Sequence, residues 1–250
     1  MSPESHPRNN VDRAEIHKFT HRAQDWWDPQ GPFATLHAIN PLRLEWIDRQ
    51  APLEGKKVLD VGCGAGILAE AMAIRGADVT GLDAGAEALE IARAHAAEGG
   101  LKIHYLHTTA EEHAEHHTGD YDVVSCLEML EHVPDPSSVV EALTRLVRPG
   151  GWLFLSTINR TPRAFAETIV GAEYVLRMLP AGTHEYSRFI RPSELGAALR
   201  QQGFAVTAMT GLTYSPLSGR YKRVSRTDVN YLMAARRIDT PPKRENRDEA

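Results

Sequence analysis

The chain has 250 residues, 42% of them hydrophobic, enough for one sizeable core and better suited to a single α/β domain than to two. Its 28 Lys and Arg against 33 Asp and Glu leave a formal charge of −5, without the basic excess that gripping a phosphate backbone requires, so nucleic acid is set aside as a partner. Cys63 and Cys126 make no disulfide framework or zinc-type spacing, no export leader opens the chain, and no uncharged apolar run reaches the ~18 residues of a membrane span, so the expected location is cytoplasmic with any membrane contact peripheral.

Residues 1–10 and 238–250 are polar and contain proline, with too few apolar groups to offset their ordering entropy; both read as disordered tails around a domain spanning 11–237. In "EIHKFTHRAQDWWDP", Ile16, Phe19, Ala23 and Trp26 share one helical face, which suits either a cover over a ligand or ordinary core packing. Asn40 and Pro41 mark the start of a further helix. Beyond it the pattern alternates. The runs 56–62, 78–83, 102–108, 121–128 and 151–157 read as strands, and the stretches between them carry apolar residues at helical spacing, Leu89, Ala92 and Ala96 for instance. These βαβ units predict a mainly parallel sheet with helices on both faces and ligands at the carboxyl ends of the strands. The segment "RPSELGAALRQQG" is a helix with Pro192 in its first turn and Gly203 past its end. "FAVTAMTGLTY" and "DVNYLMAARR" follow as an antiparallel edge, making seven strands.

The turn after the first strand, "LDVGCGAG", carries Gly62, Gly64 and Gly66, where positive φ and close backbone approach to a ligand are useful. It is not a dinucleotide fingerprint, because the third glycine falls one position early and Ile67 stands where G-x-G-x-x-G needs it. Asp83 ends the second strand about 20 residues on, placed to accept hydrogen bonds from both hydroxyls of a ribose. Asp60, Gly62, Gly64 and Gly66 with Asp83 resemble the motif of class I S-adenosylmethionine-dependent methyltransferases, which have a Rossmann-like fold. In that family the loop holds the methionine part of the cofactor and the second-strand acid holds the ribose.

Together "NPLRLEWI", "GKKVLDVGCGAGILAE", "EMLEHVPDP", "NRTPRAF", "VGAEYVLRMLPAGTHEYSRFIRPSEL" and "DVNYLMAARR" resemble the ubiquinone biosynthesis O-methyltransferase family. The resemblance implies methylation of phenolic hydroxyls on polyprenylated ring precursors at two separate steps, within reach of a ubiquinone-biosynthesis complex. It maps Arg43, Gly62, Asp83 and Leu127 to cofactor contacts. A guanidinium fork at Arg43 suits the methionine carboxylate. Glu111, after the third strand, is either an adenine contact or a solvated carboxylate at a helix start.

In "CLEMLEHVPDP" two carboxylates and an imidazole, Glu128, Glu131 and His132, emerge where the fourth strand ends. A phenol titrates near pH 10 and attacks poorly at neutral pH, so its methylation needs a base or a cation nearby. Two chemistries are open. His132, with Glu131, could act as the catalytic base pair, or Glu128, Glu131 and His132 could hold a divalent ion such as Mg2+ that a catechol chelates, with His184 a further candidate ligand. Residues 161–190 form an insertion whose apolar stripe, Phe165, Ile169, Ala172, Leu176 and Leu179, runs beside Arg163, Arg177 and Arg188. Such a stripe suits a lid or an interfacial helix in contact with membrane lipid, from which a polyprenylated phenol or catechol would be delivered.

Overall fold

The computed structural model describes residues 10–20, 25–168, 185–215 and 218–238, with backbone alone for 17–20. One sheet of eight strands runs through it in the order β3-β2-β1-β4-β5-β8-β6-β7. Strands β1 (Lys57–Val61), β2 (Asp78–Asp83), β3 (Ile103–His107), β4 (Tyr121–Leu127) and β5 (Val147–Ile158) are parallel neighbours. The βαβ reading therefore holds, since parallel strands need a crossover to return to the same end of the sheet.

The sheet reverses at β8 (Asn230–Arg237), which is antiparallel to β5 on one side and to β6 (Phe204–Ser215) on the other. An eighth strand, β7 (Arg220–Val224), pairs antiparallel with β6 and makes the outer edge, so the expected count of seven is corrected to eight. "RYKRV" gives no strand signal of its own, because its side chains are partly or fully exposed and mostly charged.

Alternate residues of β1 face opposite sides. Val58 packs with Ile47 of α2 (Ala34–Gln50), Leu68 and Met72 of α3 (Ile67–Ile74) and Leu89 of α4 (Ala86–Glu98). Leu59 and Val61 face the other way, toward Val140 and Leu143 of α6 (Pro136–Leu146) and Leu195 and Leu199 of α8 (Pro192–Gln201). Each fully buried leucine contributes about 1.5–3 kcal/mol, so the two layers clamp the parallel strands and hold their carboxyl ends in register.

Two local expectations are corrected. Helix α2 begins at Ala34, six residues before Asn40, and Pro41 lies inside it without a backbone N–H to give to the carbonyl four residues earlier. Asn40 does not cap that helix; its Nδ2 donates to the Ile67 carbonyl and ties α2 to α3. Helix α1 (Arg13–Thr20) ends before Trp26, which sits in a turn; the side chain of Phe19, and Ala23, fall outside the described residues. Asn10 and Ile238, assigned to the tails, both take part in the fold: Asn10 is bonded to Glu111 and Asp135, and the Ile238 N–H donates to the Gly203 carbonyl.

Candidate functional site

A cleft of about 960 Å³, counting its open mouth, lies over the carboxyl ends of β1, β2 and β4, a size that accommodates a drug-sized ligand. The strand order reverses between β1 and β4, and a crevice at that point follows from the topology.

The glycine turn forms the floor. Gly62 at φ +71 and Gly64 at φ +53 hold conformations that L side chains rarely adopt. A Cβ at Gly64 would stand 2.5 Å from the Trp26 ring, and one at Gly62 would stand 2.7 Å from Met129 Sδ. Trp26 stacks on Phe33 with centroids 4.0 Å apart, and its indole N–H is buried without a partner among the described residues. The neighbouring Trp27 indole donates to the Ala65 carbonyl, so both tryptophans brace the turn.

Asp83 closes β2 beside this floor. One carboxylate oxygen accepts from the Gly64 N–H at 2.8 Å and the other from the Gly85 N–H at 2.7 Å. Burial pushes its acid strength down, against the pull of those two backbone donors. The carboxylate is thereby aimed rather than free to rotate, with lone pairs left over for hydroxyl donors. Beneath the turn, Asp60 accepts from Ser125 Oγ at 2.7 Å, and burial raises its pKa to about 6. Arg43 is buried near Asp60 and Glu128; burial lowers its pKa, those two carboxylates oppose the shift, and its Nε has no partner among the described residues.

The acceptor side begins at Glu128, which takes φ +54 where β4 ends. Its N–H donates to Ser156 Oγ at 3.0 Å, and that hydroxyl donates back to the Glu128 carboxylate at 2.6 Å. A 3-10 turn, Leu130–His132, follows. Glu131 is buried, accepts from Thr157 Oγ1 at 2.8 Å, and has its pKa raised to about 7 by burial and then by Glu128. Nδ1 of His132 lies 2.9 Å from Glu15 Oε2 of α1. Burial alone would lower the imidazole pKa, but Glu15, Glu131 and Glu128 outweigh it and hold the ring above its usual value.

The segment 10–16 crosses the cleft and is fastened at three points. The Asn10 amide donates to Glu111 and to the Asp135 carbonyl, Asp12 pairs with Arg188 at 3.2 Å, and Glu15 meets His132. Glu111 also accepts from Ser138, which leaves it on the wall of the cleft rather than in solvent.

Of the residues singled out in the sequence, Ile16, Trp26, Gly62, Gly64, Asp83, Glu111, Glu128 and His132 line the cleft. Asp60, Gly66, Arg43 and Glu131 support it from behind, and Leu127 packs in the core on the α2 side rather than lining the cleft. Met129 and Glu15 line it without having been singled out; the partner of Glu15, His132, lies far along the chain, and no local pattern marks Glu15.

Among the described residues no three His, Cys, Asp or Glu side chains are grouped so as to hold a metal ion. Of the expected Glu128, Glu131 and His132 set, the two carboxylates turn to separate hydroxyls of β5 and the imidazole Nδ1 meets Glu15. His184 lies outside the described residues. The cofactor motif does fit, since a Cβ would fill the floor at Gly62 and Gly64 and an oriented carboxylate stands beside it.

Comparison with known proteins agrees with this geometry. Residues 41–209 match a family described as a methyltransferase domain. A ubiquinone biosynthesis O-methyltransferase of Thiobacillus denitrificans is 56% identical over 92% of this chain and 99% of its own, and one of Pseudomonas putida is 58% identical over 90% and 97%. Among solved structures, magnesium protoporphyrin IX methyltransferase from Synechocystis with bound SAH aligns at TM-score 0.64 and 20% identity, over 88% of this chain and 94% of its own. That likeness establishes the Rossmann-like class I fold, with its mostly parallel sheet and antiparallel carboxy-terminal edge.

Proposed function

The chain belongs to the ubiquinone biosynthesis O-methyltransferase family, and we propose that it methylates phenolic hydroxyls of polyprenylated rings at two steps of that pathway, using S-adenosylmethionine. The observation that carries the reading is the single cleft in which an aimed ribose-type carboxylate, Asp83, and the His132 imidazole line the same space.

Gly62 and Gly64 would let the backbone lie against the methionine part of the cofactor, Asp83 would accept from the ribose hydroxyls, and Glu111 on the cleft wall would reach toward the adenine. When bound, the cofactor supplies an already activated methyl sulfonium, so the protein's task is placement, exclusion of water and one proton transfer. His132 takes the phenolic proton, and Glu15 at Nδ1 stabilises the imidazolium that results. Glu131, buried nearby, raises the basicity of the ring through its charge. The strap 10–16 excludes water from above.

A methyl-transfer assay with a soluble short-chain catechol tests this. Wild type should turn over, Asp83→Ala should lose cofactor affinity, and His132→Ala should keep affinity and lose turnover; catalysis undisturbed in His132→Ala would reject the imidazole as base. A second reading, in which Mg2+ assists, is favoured by one observation: Glu131 Oε1 is buried without a hydrogen-bond partner among the described residues. Turnover that survives complete chelation would end it.

The acceptor's prenyl tail partitions into lipid, so we place the enzyme at the inner face of the cytoplasmic membrane, among the other enzymes of its pathway. No helix among the described residues is long and apolar enough to cross a membrane. The insertion 161–190 remains the expected contact, although 169–184 lie outside the described residues. Phe165 at its start is exposed and meets Tyr186 edge-on. Deleting 165–180 should abolish association with liposomes and spare cofactor binding.

A further inference from the structure

The hairpin of β6 and β7 has a surface that the methyl-transfer site does not use. Register locates it. Ile158, at the carboxyl end of β5, pairs with Asn230 at the start of β8, and Leu232 of β8 pairs with Thr210 of β6. Strand β6 therefore runs five residues past Thr210, beyond the carboxyl edge of the sheet, and turns back as β7. The hairpin projects from the same edge that carries the cleft and the insertion.

Its composition departs from that of the whole chain. Residues 211–226 contain Arg220, Lys222, Arg223 and Arg226 and no Asp or Glu, in a protein of net charge −5. Arg223 pairs with Glu45 of α2 at 3.4 Å, which fixes how the hairpin leans. Arg220, Lys222 and Arg226 are exposed and have no acidic partner among the described residues, whereas Arg163 and Arg188 of the neighbouring insertion each do. On the face of the ladder opposite Arg220 and Lys222, Tyr214 and Tyr221 pair with ring centroids 5.1 Å apart; Tyr221 packs against the α2-side core, and Tyr214, near the end of the hairpin, is 38% exposed.

Charges on an edge strand commonly serve to block pairing with other chains, but either sign does that, and mixed signs do it equally well. A one-sign patch is what an anionic lipid surface attracts: cations meet the headgroups, and the exposed Tyr214 ring near the end of the hairpin suits the interface. We propose that the β6–β7 hairpin docks the enzyme on anionic bilayer lipid, orienting the cleft mouth toward the membrane. The proposal rests on the reading of a lipid-borne acceptor given above, and it assigns the electrostatic part of the contact to a segment separate from 161–190. Each basic residue near such a surface raises partition about five-fold, so removing two lowers it at least about 25-fold, and reversing their sign lowers it further.

The test is co-sedimentation with vesicles of phosphatidylcholine alone or with phosphatidylglycerol, at low and high salt. Wild type, the double variant Arg220→Glu with Lys222→Glu, and a control with the same change of net charge at exposed sites on the amino edge, Lys57→Glu with Lys102→Glu, are compared. Wild type and control should prefer the anionic vesicles and lose that preference in salt. The hairpin variant should lose it at low salt, with SAH binding by calorimetry and turnover of a short-chain catechol in buffer both unchanged. Equal partition of the hairpin variant and wild type would overturn the proposal. So would a wild type indifferent to lipid charge, one retained instead by a single-stranded oligonucleotide, or one whose hairpin mutation only dissolves a dimer. A wild type that partitions as expected but transfers no methyl group strikes the reaction, and the vesicle comparison still decides the surface.

Discussion

At Gly64 a left-handed backbone and the flat face of Trp26 leave no room for a side chain. Gly64→Ala should cost about 1–3 kcal/mol in strain and displace the Trp26 ring, weakening SAH binding about ten-fold or more by calorimetry while the far-UV spectrum stays that of the folded protein. His132 depends on its neighbours in a different way. The base must be neutral to accept a proton, so kcat/KM should rise with pH through an imidazole pKa held above its usual value by Glu15 and the two other carboxylates. Glu15→Gln removes one anion, and the rising limb should move to lower pH as kcat falls. His132→Ala should remove the limb and about 10²-fold or more of kcat. A limb that stays put in Glu15→Gln would show that the contact only packs the strap.

Helix α5 (Ala110–Ala114) and the start of β4 are joined by a buried imidazole. His113 lies 2.8 Å from the Tyr121 hydroxyl and stacks on His117, which in turn pairs with Asp120. Burial first, then His117, lower its pKa to about 4. The folded state thus refuses a proton that the unfolded chain accepts near 6.5, so this element's contribution is complete above about pH 6.5 and is lost as pH falls toward about 4. Denaturant unfolding between pH 7 and 4 should be steeper in pH for wild type than for His113→Phe. Elements of this kind show what a sequence discloses. The five parallel strands and their helices were readable because each carries its own apolar period, as Leu89, Ala92 and Ala96 do. Strand β7 was not, because it pairs through its backbone and exposes charge on both sides. Pro41 misled because proline marks a helix start by the same property that a well-packed interior tolerates. Glu15 left no trace, since its meaning comes from an imidazole 117 positions away.

For the whole molecule, the cofactor cleft is shared by β1, β2, β4, α6 and the strap, so occupancy should stabilise the entire fold rather than one loop. SAH at about 100 times its Kd should add about 2.7 kcal/mol, a rise of about 5–10 °C in Tm, and Asp83→Ala should erase that rise by scanning calorimetry. The three fastenings of the strap carry a consequence for assembly. Asn10, Asp12 and Glu15 leave the ribosome early, yet their partners Asp135, Arg188 and His132 follow more than a hundred positions later. Contacts closing such long loops form only after the shorter ones have folded the intervening chain. On refolding, then, the helical signal should return before SAH can be captured, and a chain beginning at residue 17 should regain the sheet on the same timescale while leaving its reaction chamber unroofed.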